Sequence, residues 1–249
     1  METIAINTLP ITKSSRVLDL GCGQGRHTHA VSWYFPEAFS LGVDINPADI
    51  DIAKSKGQDF FDSTQKPNPC RFSLANGQAL PFANASFDVV ICSEVLEHVA
   101  QYQALLAEID RILKPNGIAA ISVPRAWPER ICWWLSRDYH QVQGGHIRIF
   151  NAKKLQREVT ALGFTTTKRY FAHALHSPYW WLRCLFWQQG ENVTICRVYH
   201  KMLVWDLLKK PWLTQTLERW LNPLMGKSIV WHFTKNTFKD AACTPNLKR

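Results

Sequence analysis

The segment Val17-Leu-Asp-Leu-Gly-Cys-Gly-Gln-Gly25 constrains this chain more than any other. A short apolar run predicts a buried strand, and three alternating glycines, Gly21, Gly23 and Gly25, predict a sharp turn directly after it. Without Cβ atoms, such a turn can bring its backbone close to a ligand. In an open α/β sheet, ligands bind there, beyond the carboxyl ends of the strands near the switch point. The spacing argues against the dinucleotide pattern GxGxxG. Counted from Gly21 and Gly23, its last glycine would fall on Arg26.

Two carboxylates accompany the loop. Asp44 ends a second predicted strand, Phe39 to Asp44, 19 residues past Gly25. A carboxylate there can accept hydrogen bonds from both hydroxyls of a ribose, although Asp is also common in turns and caps. Asp19 lies inside the first strand, where burial is costly unless a donor meets it. A ligand's amino group or the amides of the loop would serve.

The rest of the chain alternates strand and helix. Cys70 to Ala75, Phe87 to Cys92, Ile118 to Val123 and Phe164 to Phe171 read as the third to sixth strands, and Ser228 to Phe233 as the last. Asn46-Pro47 opens one helix. Tyr102, Leu105, Leu106, Ile109, Ile112 and Leu113 line the face of another. Lys114-Pro-Asn-Gly117 reads as a turn, and Asn151 caps a helix that ends at Gly163. This alternation predicts a doubly wound, seven-stranded, mostly parallel α/β sheet covered on both faces. Residues 177–224 break the pattern with helical spacing, as at Leu213, Leu217, Trp220 and Leu221, and read as a helical cap inserted before the last strand. The expected division is a core over 1–176 with a lid at 124–150, the cap over 177–224, and the last strand and tail over 225–249.

Composition narrows the setting. No run approaches the roughly 20 apolar residues of a membrane-spanning helix. Met1 to Pro10 has neither a basic start nor a long apolar stretch, so no secretory leader is expected. Seven cysteines, an odd number without a CxxC pair, predict no disulfide or zinc framework, fit a reducing cytoplasm, and leave no metal site expected. Charge is uneven. Residues 1–124 carry 9 Lys+Arg against 13 Asp+Glu, a net −4, and residues 125–249 carry 20 against 7, a net +13. Seven of the eleven tryptophans follow residue 179, so the second half suits an anionic partner.

Five motifs in order carry a resemblance. They are Asp19-x-Gly21-x-Gly23-x-Gly25, Gly42-Val-Asp44-Ile-Asn, Ala79-Leu-Pro-Phe82, Ser86-Phe-Asp-Val-Val-Ile-Cys-Ser-Glu-Val-Leu-Glu-His98, and Arg111-Ile-Leu-Lys-Pro-Asn-Gly117. Together they resemble the class I methyltransferases that use S-adenosylmethionine (SAM), in the branch of the ubiquinone and menaquinone biosynthesis enzymes. The likeness is close over residues 16–124 and looser over 145–172. It implies SAM as cofactor, with Gly21, Gly23 and Gly25 lining its methionine part, Asp44 on the ribose and Ile45 against adenine. Asn76 and Gly77 would sit by the adenine amino group, with Asn76 where the family more often has Asp. Ser93 and Glu94 would flank the methyl-donating end.

The acceptor side lies outside the resemblance. Methyl transfer from a sulfonium depends chiefly on in-line positioning, and a hydroxyl acceptor also gains from a general base near neutral pKa. Of the histidines that follow strand ends, His98, His140, His146, His173 and His176, the expected base is His146 in Gly144-Gly-His-Ile-Arg148, with His140 second. Trp127, Trp133 and Trp134 among Arg125, Arg130 and Arg137 mark residues 124–140 as an over-long loop, a lid. Aromatic residues interleaved with Arg183, Arg197, Lys201, Lys209, Lys210 and Arg219 suit a lipid-like acceptor or peripheral membrane contact, or simply a cap with its own core and a solvated face.

The expected function is methylation of a small or lipid-like acceptor on oxygen or carbon, in the cytoplasm or at a membrane surface. A nucleic-acid methyltransferase is the alternative that the basic second half suggests. Cys92-Ser-Glu-Val95 lacks the Asn/Asp-Pro-Pro-aromatic motif of base-amino methyltransferases, so a nucleic-acid partner is not expected. A SAM-binding regulatory protein without turnover is the third reading.

Overall fold

Each central strand supplies alternate residues to two separate cores, which is why the strands read as near-continuous apolar runs. Leu18, Leu20, Val90, Cys92, Ile121, Trp231 and Phe233 pack on one face, and Val17, Val89, Ile91, Ala120 and Val230 on the other. The structure is a computed structural model that describes residues 2–59, 70–142 and 144–237. Cys243 and the tail past Thr237 lie outside the described residues.

The strands are β1 (Arg16–Leu20), β2 (Phe39–Asp44), β3 (Arg71–Leu74), β4 (Phe87–Ser93), β5 (Leu113–Pro124), β6 (Phe164–Ala172) and β7 (Ser228–Lys235). They form a seven-stranded sheet in the order β3-β2-β1-β4-β5-β7-β6. β1 pairs in parallel with β2 and β4, and β7 runs antiparallel between β5 and β6. The order reverses between β1 and β4, which places the switch point at the glycine loop.

Helices cover both faces. α3 (Tyr102–Ile112) and α6 (Ala152–Ala161) bury Leu105, Ile109, Leu155 and Val159 in the first core. α1 (Arg26–Tyr34) and the N-terminal segment bury Val31, Ile4 and Ile6 in the second. α2 (Pro47–Asp59) follows Asn46, whose side chain accepts from the Ala48 amide at 3.1 Å. Asn151 likewise accepts from the Lys154 amide at 3.1 Å at the start of α6.

Two local expectations change. The turn at Lys114–Gly117 is an irregularity inside β5. Leu113 pairs with Phe87 and Ile118 with Val89, so the extra residues bulge out, with Asn116 at φ 63°. Lys114 closes the bulge on the Asp88 carboxylate at 2.8 Å. The expected long loop at 124–140 is instead largely helical: α4 (Ala126–Leu135) and α5 (Asp138–Gln141). Pro128 lies in the first turn of α4, where a missing amide hydrogen is tolerated.

Between β6 and β7 come α7 (His176–Leu185), a 3-10 turn at Trp187–Asn192, α8 (Thr194–Lys209) and α9 (Trp212–Met225). Cys132 of α4, Tyr139 of α5 and Cys184 of α7 form a third small core, lined by Trp133, Trp180, Trp181 and Trp187. Part of the aromatic surplus of the second half is therefore a core of its own. α9 has no buried residue.

Candidate active site

The glycine loop is held from below by β2. The amides of Gly21 and Cys22 donate to the Val43 carbonyl at 2.8 and 3.0 Å. Gly21, Gly23 and Gly25 all adopt positive φ, at 69°, 50° and 79°. Their surroundings differ. A Cβ on Gly21 would lie 2.5 Å from Val95 Cγ2, and one on Gly25 would lie 2.8 Å from the Phe72 ring. A Cβ on Gly23 would meet nothing within 4 Å. Gly21 and Gly25 are thus small for packing, whereas Gly23 faces open space.

Asp44 is oriented by backbone amides, with Gly23 donating to Oδ2 at 2.8 Å and Asn46 to Oδ1 at 2.9 Å. Each oxygen keeps a further lone pair for a ligand hydroxyl. Ile45 beside it is 72% exposed, an apolar side chain presented to solvent where a flat ring could lie. Asn76 caps its own turn through Gln78 N at 3.0 Å, and Gly77 packs against Leu105 and Leu20. Asp19 is only 2% exposed and accepts from the amide and hydroxyl of Thr28 at 3.0 and 2.7 Å. Burial pushes its carboxyl up to about 6 despite these donors. The α1 amide end therefore supplies part of what this carboxylate requires.

The segment after β4 packs directly on this loop through Val95 and Gly21. Ser93 Oγ lies 3.0 Å from Ser122 Oγ, and Ser122 donates to Glu94 at 3.0 Å. Glu94 itself has φ 55°, a strained conformation for a side-chain-bearing residue. A turn later come Glu97 and His98, and the Gly144–His146 segment is drawn against them. The Ile147 amide donates to the Glu97 carbonyl at 3.1 Å, and His98 Nδ1 donates to the Gly145 carbonyl at 3.2 Å. The rings of His98 and His146 are 5.0 Å apart.

His146 Nδ1 meets Glu129 Oε1 of α4 at 2.6 Å. Glu129 is buried and also accepts from Trp133 Nε1 at 3.2 Å and Tyr139 OH at 3.3 Å. Burial would raise its carboxyl, but the His146 hydrogen bond and the Lys227 charge outweigh it and hold the group below the usual range.

The other histidine candidates are distributed differently. His140 stacks on Trp133 at 4.2 Å, outside the cluster. His173 and His176 join Glu218 of α9 in a separate group, with His173 hydrogen-bonded to Thr3. Glu97 and Glu129 did not stand out in the sequence. A carboxylate on the inner face of an otherwise apolar Trp-rich helix was the available signal for Glu129.

Residues 4–169 match a family described as a methyltransferase domain. A demethylmenaquinone methyltransferase of Tropheryma whipplei is 33% identical over 124 residues, 49% of this chain and 48% of that protein. An O-methyltransferase of Aspergillus nomiae is 31% identical over 114 residues, 46% of this chain and 48% of its own length. The matches span half or less of the curated relatives' length, from 39% to 50%. A SAM-dependent methyltransferase structure from Methanosarcina mazei superimposes with a TM-score of 0.61 at 15% identity, covering 95% of this chain and 99% of that one, a likeness of fold. With the sheet order, the glycine loop and the family match together, the chain belongs to the methyltransferase domain family, the class I fold whose methyl donor is SAM.

Proposed function

We propose that this protein transfers a methyl group from SAM to a hydroxyl of a small or lipid-like acceptor. The observation that carries the reading is the pairing of an open cradle at Gly23 with an oriented Asp44 at the switch point. Gly21, Gly23 and Gly25 are assigned to the methionine part of the donor, with Asp19 on its amino group. Asp44 is assigned to its ribose, Ile45, Asn76 and Gly77 to its adenine, and Ser93 and Glu94 to its reactive end. SAM supplies an electrophilic methyl carbon with a neutral thioether as leaving group. The protein's part is alignment, which can supply on the order of 7–11 kcal/mol at best. The Glu97–His98–His146–Glu129 cluster follows β4 closely enough to handle the acceptor's hydroxyl, which favours oxygen over carbon as the methylated atom.

The lid helices α4 and α5 and the helices α7–α9 are proposed to cover the acceptor. Their outer face supports a lipid-like acceptor or an anionic lipid surface. Trp212 is 77% exposed, and Leu208, Leu213, Leu217, Trp220 and Leu224 are exposed beside it. A shallow groove on α8 is lined by His200, Lys201, Val204, Trp205, Leu208 and Lys209, a mixture of apolar and basic side chains. Among the described residues no helix is long and apolar enough to cross a membrane. Calorimetry with SAM and an Asp44→Ala variant tests the core of the proposal. Micromolar binding lost in the variant is expected, and no binding to the intact chain would overturn it.

A further inference from the structure

The corner between β6 and α7 takes no part in the proposed methyl transfer, yet it gathers two histidines and a carboxylate from separate elements. His173 follows the last residue of β6, His176 opens α7, and Glu218 comes from α9. One ligand atom from each lies within 4.8 Å of the other two. The side chains of His173 and Glu218 are only 12% and 15% exposed. His176 Nδ1 and Glu218 Oε1 are fully shielded from solvent, and neither has a hydrogen-bond partner among the described residues. His173 turns Nε2 to the Thr3 hydroxyl at 3.1 Å, which leaves its Nδ1 facing Glu218 Oε1 at 3.8 Å, too far for a hydrogen bond. Three atoms that can each offer a lone pair thus converge, and burying such atoms without a partner is costly.

The backbone is bent to bring them together. His173 has φ 68°, a left-handed conformation that its Cβ makes unfavourable. The His176 amide closes the turn on the His173 carbonyl at 3.1 Å, and the two rings lie 5.5 Å apart. α9, which has no buried residue, meets this corner through polar groups. Asn222 Oδ1 accepts from the Ala174 amide at 3.0 Å, and the Met225 carbonyl accepts from the Ser177 hydroxyl at 2.7 Å.

We infer that His173, His176 and Glu218 form a structural binding site for a zinc-type divalent cation, which staples α9 to the β6–α7 corner. Two imidazole nitrogens and one carboxylate oxygen suit Zn²⁺ or Co²⁺ better than Mg²⁺ or Ca²⁺, and a water completes the tetrahedron. Around such an ion the ligand atoms stand roughly 3.3 Å apart, so His173 Nδ1 and Glu218 Oε1 need to approach by only about half an ångström. The Thr3 hydroxyl is the partner that orients the His173 ring. A proton shared between His173 and Glu218 would serve that pair alone and leave His176 Nδ1 unsatisfied. Thr3 belongs to the N-terminal segment, which also reaches α1 through the Ile4 amide on His27 Nε2 at 3.3 Å. The cation therefore joins the last cap helix, the edge strand and the N-terminal segment at one point. Its ligands include no cysteine, so cysteine spacing gives no sign of it.

The test is titration of the EDTA-treated, dialysed full chain with Co²⁺ and Zn²⁺, read by visible Co²⁺ absorption, metal analysis and differential scanning fluorimetry. The His98→Ala chain is titrated beside it, because that change breaks the Glu97–His98–His146 group, the other place among the described residues where such atoms lie together. The His98→Ala chain should still bind one equivalent at micromolar or tighter affinity. Zn²⁺ at roughly 100 times its Kd should raise Tm by about 5–11 °C and slow proteolysis within α9. Adding Glu218→Gln or His176→Gln should abolish binding and both effects, and Thr3→Val should weaken binding about 10–100-fold. Glu218→Gln keeps the shape of a side chain on a cap helix, so it should stay folded by circular dichroism even where His176→Gln does not. A folded His98→Ala chain that binds neither cation, or a Glu218→Gln variant that binds like its parent, overturns the site. Binding that leaves both Tm and proteolysis of α9 unchanged overturns the staple.

Discussion

Replacing Gly23 by Ala separates ligand approach from packing. Position 23 has φ 50°, so a Cβ there brings left-handed strain of about 1–2 kcal/mol. It meets no neighbour within 4 Å, so no overpacking adds to that. For a chain of this size, each kcal/mol lowers Tm by roughly 2–4 °C, which gives a fall of about 2–8 °C. At Gly21 the same strain is joined by a Val95 methyl 2.5 Å away, and overpacking adds about 1–3 kcal/mol. Gly21→Ala should therefore melt about 4–20 °C lower. SAM affinity should fall in the opposite order relative to stability, because the new methyl of Gly23→Ala occupies the cradle itself. A loss of roughly 100-fold, close to 3 kcal/mol, is expected for a variant that is still well folded. Differential scanning fluorimetry and calorimetry on both variants read the two quantities. If Gly23→Ala binds SAM within threefold of the parent, the open space over Gly23 is not the cofactor cradle.

Other outcomes follow from neighbouring features. His146→Ala should reduce turnover of a hydroxyl acceptor at least 100-fold with SAM affinity unchanged, measured by radiolabelled methyl transfer and calorimetry. Asp19 should give a pH signature. Its folded value near 6 exceeds the unfolded 3.8, so the folded state binds more protons and stability is lost as pH rises between these values. In the absence of SAM, the Tm difference between Asp19→Asn and the parent should move in favour of the variant from about pH 4 to 6 and then level off. A flat difference would mean that the carboxylate is not penalised. On the cap, Trp212→Ser with Trp220→Ser should reduce sedimentation with anionic vesicles roughly tenfold or more, and added salt should weaken binding of the parent. No binding of the parent at low salt would remove the membrane reading.

The sheet was legible because its central strands are buried on both faces. Val89 to Cys92 and, apart from Asp19, Val17 to Leu20 must then be apolar, and that is visible without knowing the fold. The bulge in β5 was not, since Pro115-Asn-Gly117 has ordinary turn chemistry and only pairing with Phe87 and Val89 shows that the strand continues past it. α4 reads as a loop in the sequence because Pro128 and clustered tryptophans obscure a helical face that only docking on α7 defines. At the site, Asp44 and the glycines carry local signals, whereas the Glu97–His98–His146–Glu129 group is assembled from three stretches of chain. Residue type gave no indication that Glu97 would be buried with no hydrogen-bonding partner among the described residues.

The place of β7 also bears on how the molecule is made. It is the last of the seven strands to be synthesised, yet it occupies an interior position and joins β5 to β6. Until residues 228–235 emerge and α7–α9 have folded out of the way, a nascent chain holds two unpaired strand edges, with the socket for Trp231 unfilled. Closure of the sheet is thus a late, long-range event, slow by its loop length and exposed to edge-to-edge association while it waits. Chains interrupted before Ser228 should be clients of chaperones or proteases rather than stable shorter enzymes.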